Sequence, residues 1–199
     1  MTDLMDTNSA HPGAAAAHSL VTTARAAFDA AACSISTLSA DGTTLRFLAV
    51  SGAGEGELEG RPLPPERGLA YWSLRTGMSI AADDLDSSAD FNSEFAASTG
   101  YVPSSILVAP ISGGGSPTGI IQVLDRVDSG RAEAGPISLI EQFADLAGRL
   151  LTGNGDSAHD DQQASAELIR ETGAFLLSGR IRSKEEARRL LLNALRDLG

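Results

Sequence analysis

The sequence predicts an α+β fold in which helices flank an antiparallel β-sheet. Two hairpin signals support this prediction, because Asp41-Gly42 and the glycine-rich stretch 112–117 each stand between two β-rich segments. Apolar residues at three- and four-residue spacing precede the first hairpin and follow the second, which predicts an amphipathic helix at each end. Hairpins that build a sheet, together with helices that pack on it, are typical of this class.

Each element is predicted from its own pattern. Leu20, Val21 and Phe28 repeat with helical spacing, whereas Cys33 and Ile35 alternate with serines as in a strand. Gly77 marks the end of the middle helix, because glycine readily adopts the backbone conformation found just past a helix. The predicted order is a helix over 12–32, strands over 33–38 and 45–50, an acidic Gly/Pro loop over 52–65, a helix over 66–76, a strand over 78–81, an acidic turn over 83–90, a short helix over 91–97, strands over 105–111 and 119–124, and a helix over 137–151.

Composition changes near Thr152 divide the chain into four predicted segments. Residues 1–11 form a flexible N-terminus, 12–152 the main domain, 153–158 a linker, and 159–199 a helical appendage. In the appendage, Ser183-Lys184-Glu185-Glu186 has the pattern of a capping box that opens a second helix. The apolar stripe of this helix, which needs a partner, consists of Leu190, Leu191, Leu195 and Leu198.

The charge balance narrows the classes of partner. Fifteen basic against 26 acidic residues give a net charge of −11, which disfavours binding to nucleic acid and to anionic membranes. No apolar run approaches the roughly 18–20 residues of a membrane span. Acidic residues near the N-terminus do not fit a signal peptide, and the single cysteine cannot form an internal disulfide, so the sequence predicts a cytoplasmic protein.

Ordered motifs recur along residues 21–151. They are Pro64-Pro65-Glu66-Arg67-Gly68-Leu69-Ala70, Thr76-Gly77 with Asp83-Asp84, Gly100-Tyr101-Val102-Pro103-Ser104-Ser105, Leu107-Val108-Ala109-Pro110-Ile111, Gly119-Ile120-Ile121-Gln122-Val123-Leu124-Asp125 and Phe143-Ala144-Asp145-Leu146-Ala147. In this order they resemble the GAF domain, a relative of the PAS fold that is found in signalling proteins.

The resemblance implies a twisted antiparallel sheet of about six strands. The first and last helices would pack on one face, and the middle helix and loops would enclose a pocket on the other. It implies a sensory domain, commonly a homodimer through its outer helices, rather than a catalyst. The residues implied to line the pocket are Trp72, Asp83, Asp84, Phe91, Phe95, Tyr101, Ser104 and Ser105. Aromatic walls with a few polar groups suit a flat, partly polar small molecule.

These candidate residues also have structural interpretations. The alternative for Trp72, Phe91 and Phe95 is that they complete the core. The aspartates at 83, 84, 86 and 90 lack the glycine and glutamate of a calcium loop, so a solvated turn is favoured, with Asp90 or Ser88 capping the next helix. No metal site is therefore predicted.

Three further features have both a functional and a structural interpretation. The glycines at 113–115 lack the following Lys-Ser/Thr of a phosphate-binding loop and are interpreted as a hairpin tip. The loop 52–60 is a candidate lid for the pocket, and an ordinary surface loop is the alternative. Cys33 has no basic neighbour in the sequence, which favours a buried structural cysteine over a reactive thiol.

The sequence predicts no particular cofactor. The domain has no lysine, although cyclic-nucleotide-binding members of the family carry an Asn-Lys signature, and Cys33 is too early for a bilin attachment site. The histidines at 11, 18 and 159 fall outside the predicted core, which disfavours haem, and one cysteine cannot perform the chemistry of the related methionine-sulfoxide reductases.

The resulting hypothesis is a non-catalytic, cytoplasmic sensory domain that binds an unidentified small organic ligand and signals through dimer helices. The alternative is a ligand-free dimerisation or protein-interaction module, in which side chains fill the pocket and residues 183–198 dock on an output protein. An enzyme ranks third, because the predicted core offers serine and aspartate without a histidine base.

Overall fold

The computed structural model describes residues 13–64, 68–85, 88, 91–127 and 134–152. The elements are α1 (Ala14–Phe28), β1 (Ala30–Leu38), β2 (Leu45–Gly52), α2 (Leu69–Thr76), β3 (Ile80–Ala82), α3 (Ser93–Ser98), β4 (Ile106–Ile111), β5 (Gly119–Arg126) and α4 (Ala134–Thr152). The predicted N-terminus, linker and helical appendage lie outside the described residues. Among the helices in these ranges, none is long and apolar enough to cross a membrane.

The five strands form one antiparallel sheet in the order β2-β1-β5-β4-β3. Cys33 and Ile35 on β1 face α1 and α4, which pack on the same side of the sheet and bring the rings of Phe28 and Phe143 to 6.2 Å. A second apolar cluster lies on the opposite side, where Tyr71 of α2 packs with Val108 of β4. This layered arrangement confirms the predicted α+β fold.

The first helix is shorter than its apolar pattern predicts. It ends at Phe28, because Asp29 adopts a left-handed backbone with φ of 50° and its N–H donates to the carbonyl of Ala26. Ala30 and Ala32 already pair with β5, opposite Arg126 and Leu124. The hydrogen bonds of this pairing outweigh the helical propensity of the alanines.

The sheet has five strands in the described part of the chain, where the resemblance implied about six. Residues 60–63 run beside the outer edge of β2: the N–H of Gly60 donates to Phe47 and that of Leu63 to Leu45, each at 2.8 Å. Ladder pairing along this edge is limited to a single antiparallel bridge between Arg46 and Pro62. Proline has no N–H to donate, so this segment covers the edge without becoming a full strand.

Two further boundaries differ from the predictions. The strand predicted over 78–81 is β3, and the closing helix begins at Ala134 rather than at 137. The short helix α3 has Asn92 at its N-cap position, where the sequence predicted Asp90 or Ser88, and Oδ1 of Asn92 accepts from the N–H of Phe95 at 3.0 Å. Asp90 lies outside the described residues. Asparagine is a preferred N-cap because its short side chain reaches the exposed amides of the first turn.

The tip of the β4–β5 hairpin lies against the last turns of α4. A Cβ atom added at Gly148 would collide with the carbonyl oxygen of Ser112, and one added at Gly113 would collide with the side chain of Thr152. The two glycines therefore allow a backbone approach that a larger residue would block.

Ser36 on β1 is fully buried, and its hydroxyl has no hydrogen-bond partner in the described part of the protein. Because a buried unsatisfied hydroxyl carries a desolvation penalty, we expect Ser36→Ala to raise the free energy of unfolding by about 1 kcal/mol. Ser73→Ala is the matched control, since Ser73 is equally buried but donates to the carbonyl of Met78 at 2.7 Å. Urea denaturation should move the two midpoints in opposite directions; a loss of stability in Ser36→Ala would contradict the expectation.

Candidate functional site

A cavity lies between the sheet and the layer formed by α2, α3 and the loop before α2. Its volume is about 110 Å³. A single water needs roughly 10–15 Å³, and a cavity of about 150 Å³ binds benzene in another protein. The space therefore suits a molecule of about one ring. Its walls are largely apolar and are built by Ala32, Phe47, Val50, Ala53, Leu58, Leu63, Pro64, Gly68, Leu69, Ala70, Phe91, Phe95, Ala96, Pro103, Ile106 and Leu124.

Two polar side chains form part of the cavity floor. Ser34 on β1 and Gln122 on β5 stand directly opposite each other in the sheet, and each is only 8% exposed. Within the described ranges neither side chain has a hydrogen-bond partner. Among the described side chains, the fully enclosed polar atoms without a partner are Ser36 Oγ and Arg126 Nε, so the polar atoms of Ser34 and Gln122 are accessible and can form hydrogen bonds within the cavity.

The other polar side chains that border the cavity are already engaged. Asn92 caps α3, and the hydroxyl of Thr99 donates to the carbonyl of Ala96 at 2.7 Å. The hydroxyl of Tyr101 donates to the carboxylate of Asp125. Ser34 and Gln122 are thus distinguished from the remaining polar lining by their lack of a partner.

Asp125 organises the rim of the cavity. Its Oδ1 accepts from the N–H groups of Ser104 and Ser105 and from the hydroxyl of Ser104, each at 2.8 Å. Its Oδ2 accepts from Tyr101. Asp125 has a left-handed backbone with φ of 49°, which aspartate tolerates better than most residues and which turns its carboxylate toward the 101–105 segment.

The same contacts shift two pKa values in opposite directions. Partial burial acts to raise the pKa of Asp125, but the hydrogen bonds from Tyr101, Ser105 and Ser104 together hold it below its usual value. Burial, followed by the hydrogen bond to Asp125 and its negative charge, raises the pKa of Tyr101 to about 12. The pair therefore consists of a neutral phenol that donates to an ionised carboxylate near neutral pH.

The structure brings some of the predicted pocket residues together and separates others. Phe91, Phe95 and Tyr101 border the cavity. Ser104 and Ser105 bind Asp125 at the rim and are not part of the wall. Trp72 is 41% exposed on α2, and Asp83 and Asp84 are exposed after β3; none of these three borders the cavity. Direct ligand contact by any of the eight remains a prediction.

Sequence reasoning did not select Ser34, Gln122 or Asp125 as site residues. A usable signal was present for Gln122, because it is the single polar residue within the apolar run Ile120-Ile121-Gln122-Val123-Leu124. A polar residue in a strand that is buried on both faces requires a partner. Ser34 had a weaker signal, since serine is common in strands that have one exposed face.

The thiol of Cys33 lies away from the cavity. Cys33 is fully buried on the side of the sheet that α1 and α4 cover, and burial raises the pKa of its thiol despite the opposing charge of Arg25. This placement agrees with a structural cysteine. Within the residues that the structure describes, no group of three or more His, Cys, Asp or Glu side chains is arranged to hold a metal ion; two of the four acidic-turn aspartates, Asp86 and Asp90, lie outside those residues.

The loop 52–60 connects the cavity to α1. Leu58 of this loop is buried and borders the cavity. On its outer side, Glu55 and Glu59 approach the imidazole nitrogens of His18 on α1 at 3.8 and 3.7 Å. The loop thus contacts both the cavity and the opposite helical layer.

Comparison with solved structures finds the same architecture in several proteins. The GAF-B domain of DevS from Mycobacterium smegmatis is 16% identical, covers 76% of this chain and 98% of its own, and has a TM-score of 0.56. Residues 122 to 287 of a methyl-accepting chemotaxis protein are 22% identical over 65% of this chain and 84% of that one, with a TM-score of 0.55. The GAF domain of an Acinetobacter phosphoenolpyruvate-protein phosphotransferase is 15% identical over 71% and 80%, with a TM-score of 0.56.

Sequence comparison gives the family. No curated protein matches the chain. The sequence model of the GAF domain, however, matches residues 13–151, from the residue before α1 to the penultimate residue of α4. The motifs, the helix-flanked sheet and this match agree, and the chain belongs to the GAF domain family.

Proposed function

We propose that this chain is a non-catalytic, cytoplasmic regulatory domain that binds a small organic molecule in the cavity between the sheet and α2–α3. One observation carries the proposal: an apolar cavity of about 110 Å³ is bordered by the Ser34 hydroxyl and the Gln122 amide, neither of which has a hydrogen-bond partner among the described residues. Ligand sites typically combine apolar walls with a few such polar groups. The chemotaxis protein and the phosphotransferase that share this fold are in keeping with a regulatory role.

The loop 52–60 can transmit ligand binding in the cavity to the outer helices. A ligand that contacts Leu58 favours one arrangement of the loop 52–60, and this loop also meets His18 on α1. The ligand shifts the equilibrium between loop arrangements only by the difference in its affinity for them. We propose that α1 and α4 transmit this shift to a second copy of the chain, and that residues 183–198 carry it to an output protein.

We expect benzamide at about 10 mM to raise the melting temperature of the full chain by about 3–5 °C, which corresponds to a dissociation constant of about 1 mM, and toluene at about 5 mM to give a smaller rise. Ala96→Leu should abolish the shift, because Ala96 is buried and borders the cavity, so the larger side chain fills it. Ala97→Leu is the matched control, since the neighbouring Ala97 is exposed on the same helix. Differential scanning fluorimetry measures all three proteins.

Two results would contradict ligand binding in this cavity. One is a melting temperature that neither compound moves; the other is an equal shift in Ala96→Leu and the wild type. Either result would favour the alternative of a ligand-free interaction module, whose candidate leucines at 190–198 lie outside the described residues.

A further inference from the structure

We propose that the cavity selects uncharged, ring-sized molecules that carry an amide, lactam or urea edge, and that Gln122 and Ser34 bind this edge. The inference rests on the proposed function, since it specifies the ligand class of the same cavity. It depends on three properties of the described lining: its lack of charge, the pairing of its free polar groups, and its size.

The part of the lining that the structure describes is uncharged, which disfavours ionic ligands. No Asp, Glu, Lys, Arg or His is among the described residues that border the cavity. The guanidinium of Arg61 contacts the Phe95 ring at 6.0 Å from its centre, but Arg61 does not border the cavity. An ion moved from water into such a site loses part of its hydration without an opposite charge among the described lining to offset the loss, and the net charge of −11 further disfavours anions.

The free polar groups match an amide edge. The Gln122 side chain offers an acceptor oxygen and two N–H donors in one plane, so it can accept from an amide N–H and donate to the adjacent carbonyl of a ligand. Ser34 is its direct neighbour across β1 and β5, where opposing Cβ atoms lie roughly 4.5–5.5 Å apart. Its hydroxyl can therefore bind the second lone pair of the same carbonyl or the second N–H of a primary amide.

The surrounding side chains restrict the rest of the ligand. Phe47 and Phe95, whose rings are nearly parallel with an interplanar angle of 9° and centroids 6.3 Å apart, both border the cavity. With Leu124 and Ile106 they form an apolar wall beside the polar pair. A flat apolar ring that bears one amide edge fills the volume, whereas a nucleotide exceeds it and brings a phosphate.

Three probes of nearly equal shape separate the possibilities: benzamide, benzoate and toluene. We expect NMR titration of the ¹⁵N-labelled full chain to give at least tenfold tighter binding of benzamide than of benzoate. Gln122→Leu should weaken the binding of benzamide about tenfold and change the affinity for toluene by less than about threefold. Leucine keeps a similar apolar volume and removes the amide. Gln142→Leu, on α4 and away from the cavity, should change neither.

Ser34→Ala is a second variant, which removes one hydroxyl from the cavity floor. We expect it to weaken the binding of benzamide about threefold. Binding of benzoate or toluene as tight as that of benzamide would overturn the ligand class and leave the proposed function standing. An unchanged affinity for benzamide in both Gln122→Leu and Ser34→Ala would also overturn the ligand class and leave the proposed function standing. Binding of none of the three probes would overturn the proposed function as well.

Discussion

Replacing Gly148 with valine is expected to lower the free energy of unfolding by about 3 kcal/mol. The added Cβ would collide with the backbone carbonyl of Ser112, and backbone at a hairpin tip cannot yield as a flexible side chain would. Overpacking of this kind costs about 1–3 kcal/mol, and the two additional methyl groups of valine place this variant at the upper end. Urea denaturation of the full chain measures the change.

Two further substitutions test whether the close approach of α4 to the hairpin causes this loss of stability. Gly115→Val makes the same chemical change where no atom lies within 4 Å, so we expect an effect within about 0.5 kcal/mol. Gly148→Ala should destabilise by less than valine, because alanine regains about 1 kcal/mol of helix propensity. If Gly148→Val were as stable as the wild type, Gly148 would not be a point of close contact.

Asp125→Asn is expected to destabilise the domain by about 1–2 kcal/mol at neutral pH. Asparagine tolerates the left-handed backbone of this position, so the change removes the charge without adding backbone strain. It weakens the hydrogen bonds from Ser104 and Ser105 and directs an amide N–H₂ at one of the donors that now surround the carboxylate. Hydrogen bonds to charged groups contribute more than neutral ones, and partial solvent exposure reduces that contribution here.

The Asp125→Asn effect should depend on pH with a defined sign. The native pKa of Asp125 is lowered, so its ionised form contributes stability above the unfolded value of roughly 3.9, and this contribution is lost as pH falls through the native pKa. The difference between wild type and Asp125→Asn should therefore be complete at pH 7 and shrink below about pH 4. Asp83→Asn, an exposed aspartate after β3, serves as the control. A difference that stays constant down to pH 3 would show that the carboxylate charge is not responsible.

Most of the fold was predictable because its signals are local. The two hairpins depend on turn residues and on β-rich runs beside them, and Gly77 ends α2 with φ of 68° as its position predicts. The predicted element boundaries are wrong where contacts with residues distant in sequence determine the local structure. Ala30 and Ala32 have helical propensity, yet they pair with β5, about 90 positions further along the chain.

The candidate site was harder to predict than the fold. Aromatic residues were expected to line the pocket, and Phe91 and Phe95 do border the cavity, whereas Trp72 is exposed. The direction in which a helical side chain points depends on how the helix is rotated against the sheet, and spacing alone does not fix that rotation. The pairing of Ser34 with Gln122 depends in turn on the register of two strands that are far apart in sequence, which no local pattern contains.

The position of Cys33 allows the opening of the fold to be measured from the reactivity of its thiol. It is the single cysteine of the chain, and its side chain is fully enclosed between the sheet and the α1–α4 layer. A thiol reagent such as Ellman's compound reaches it only when these layers separate. Where reclosing outpaces modification, the labelling rate is the population of the open state multiplied by the rate for a free thiol. The stability of every variant can thus be ranked under native conditions, without denaturant and without an introduced label.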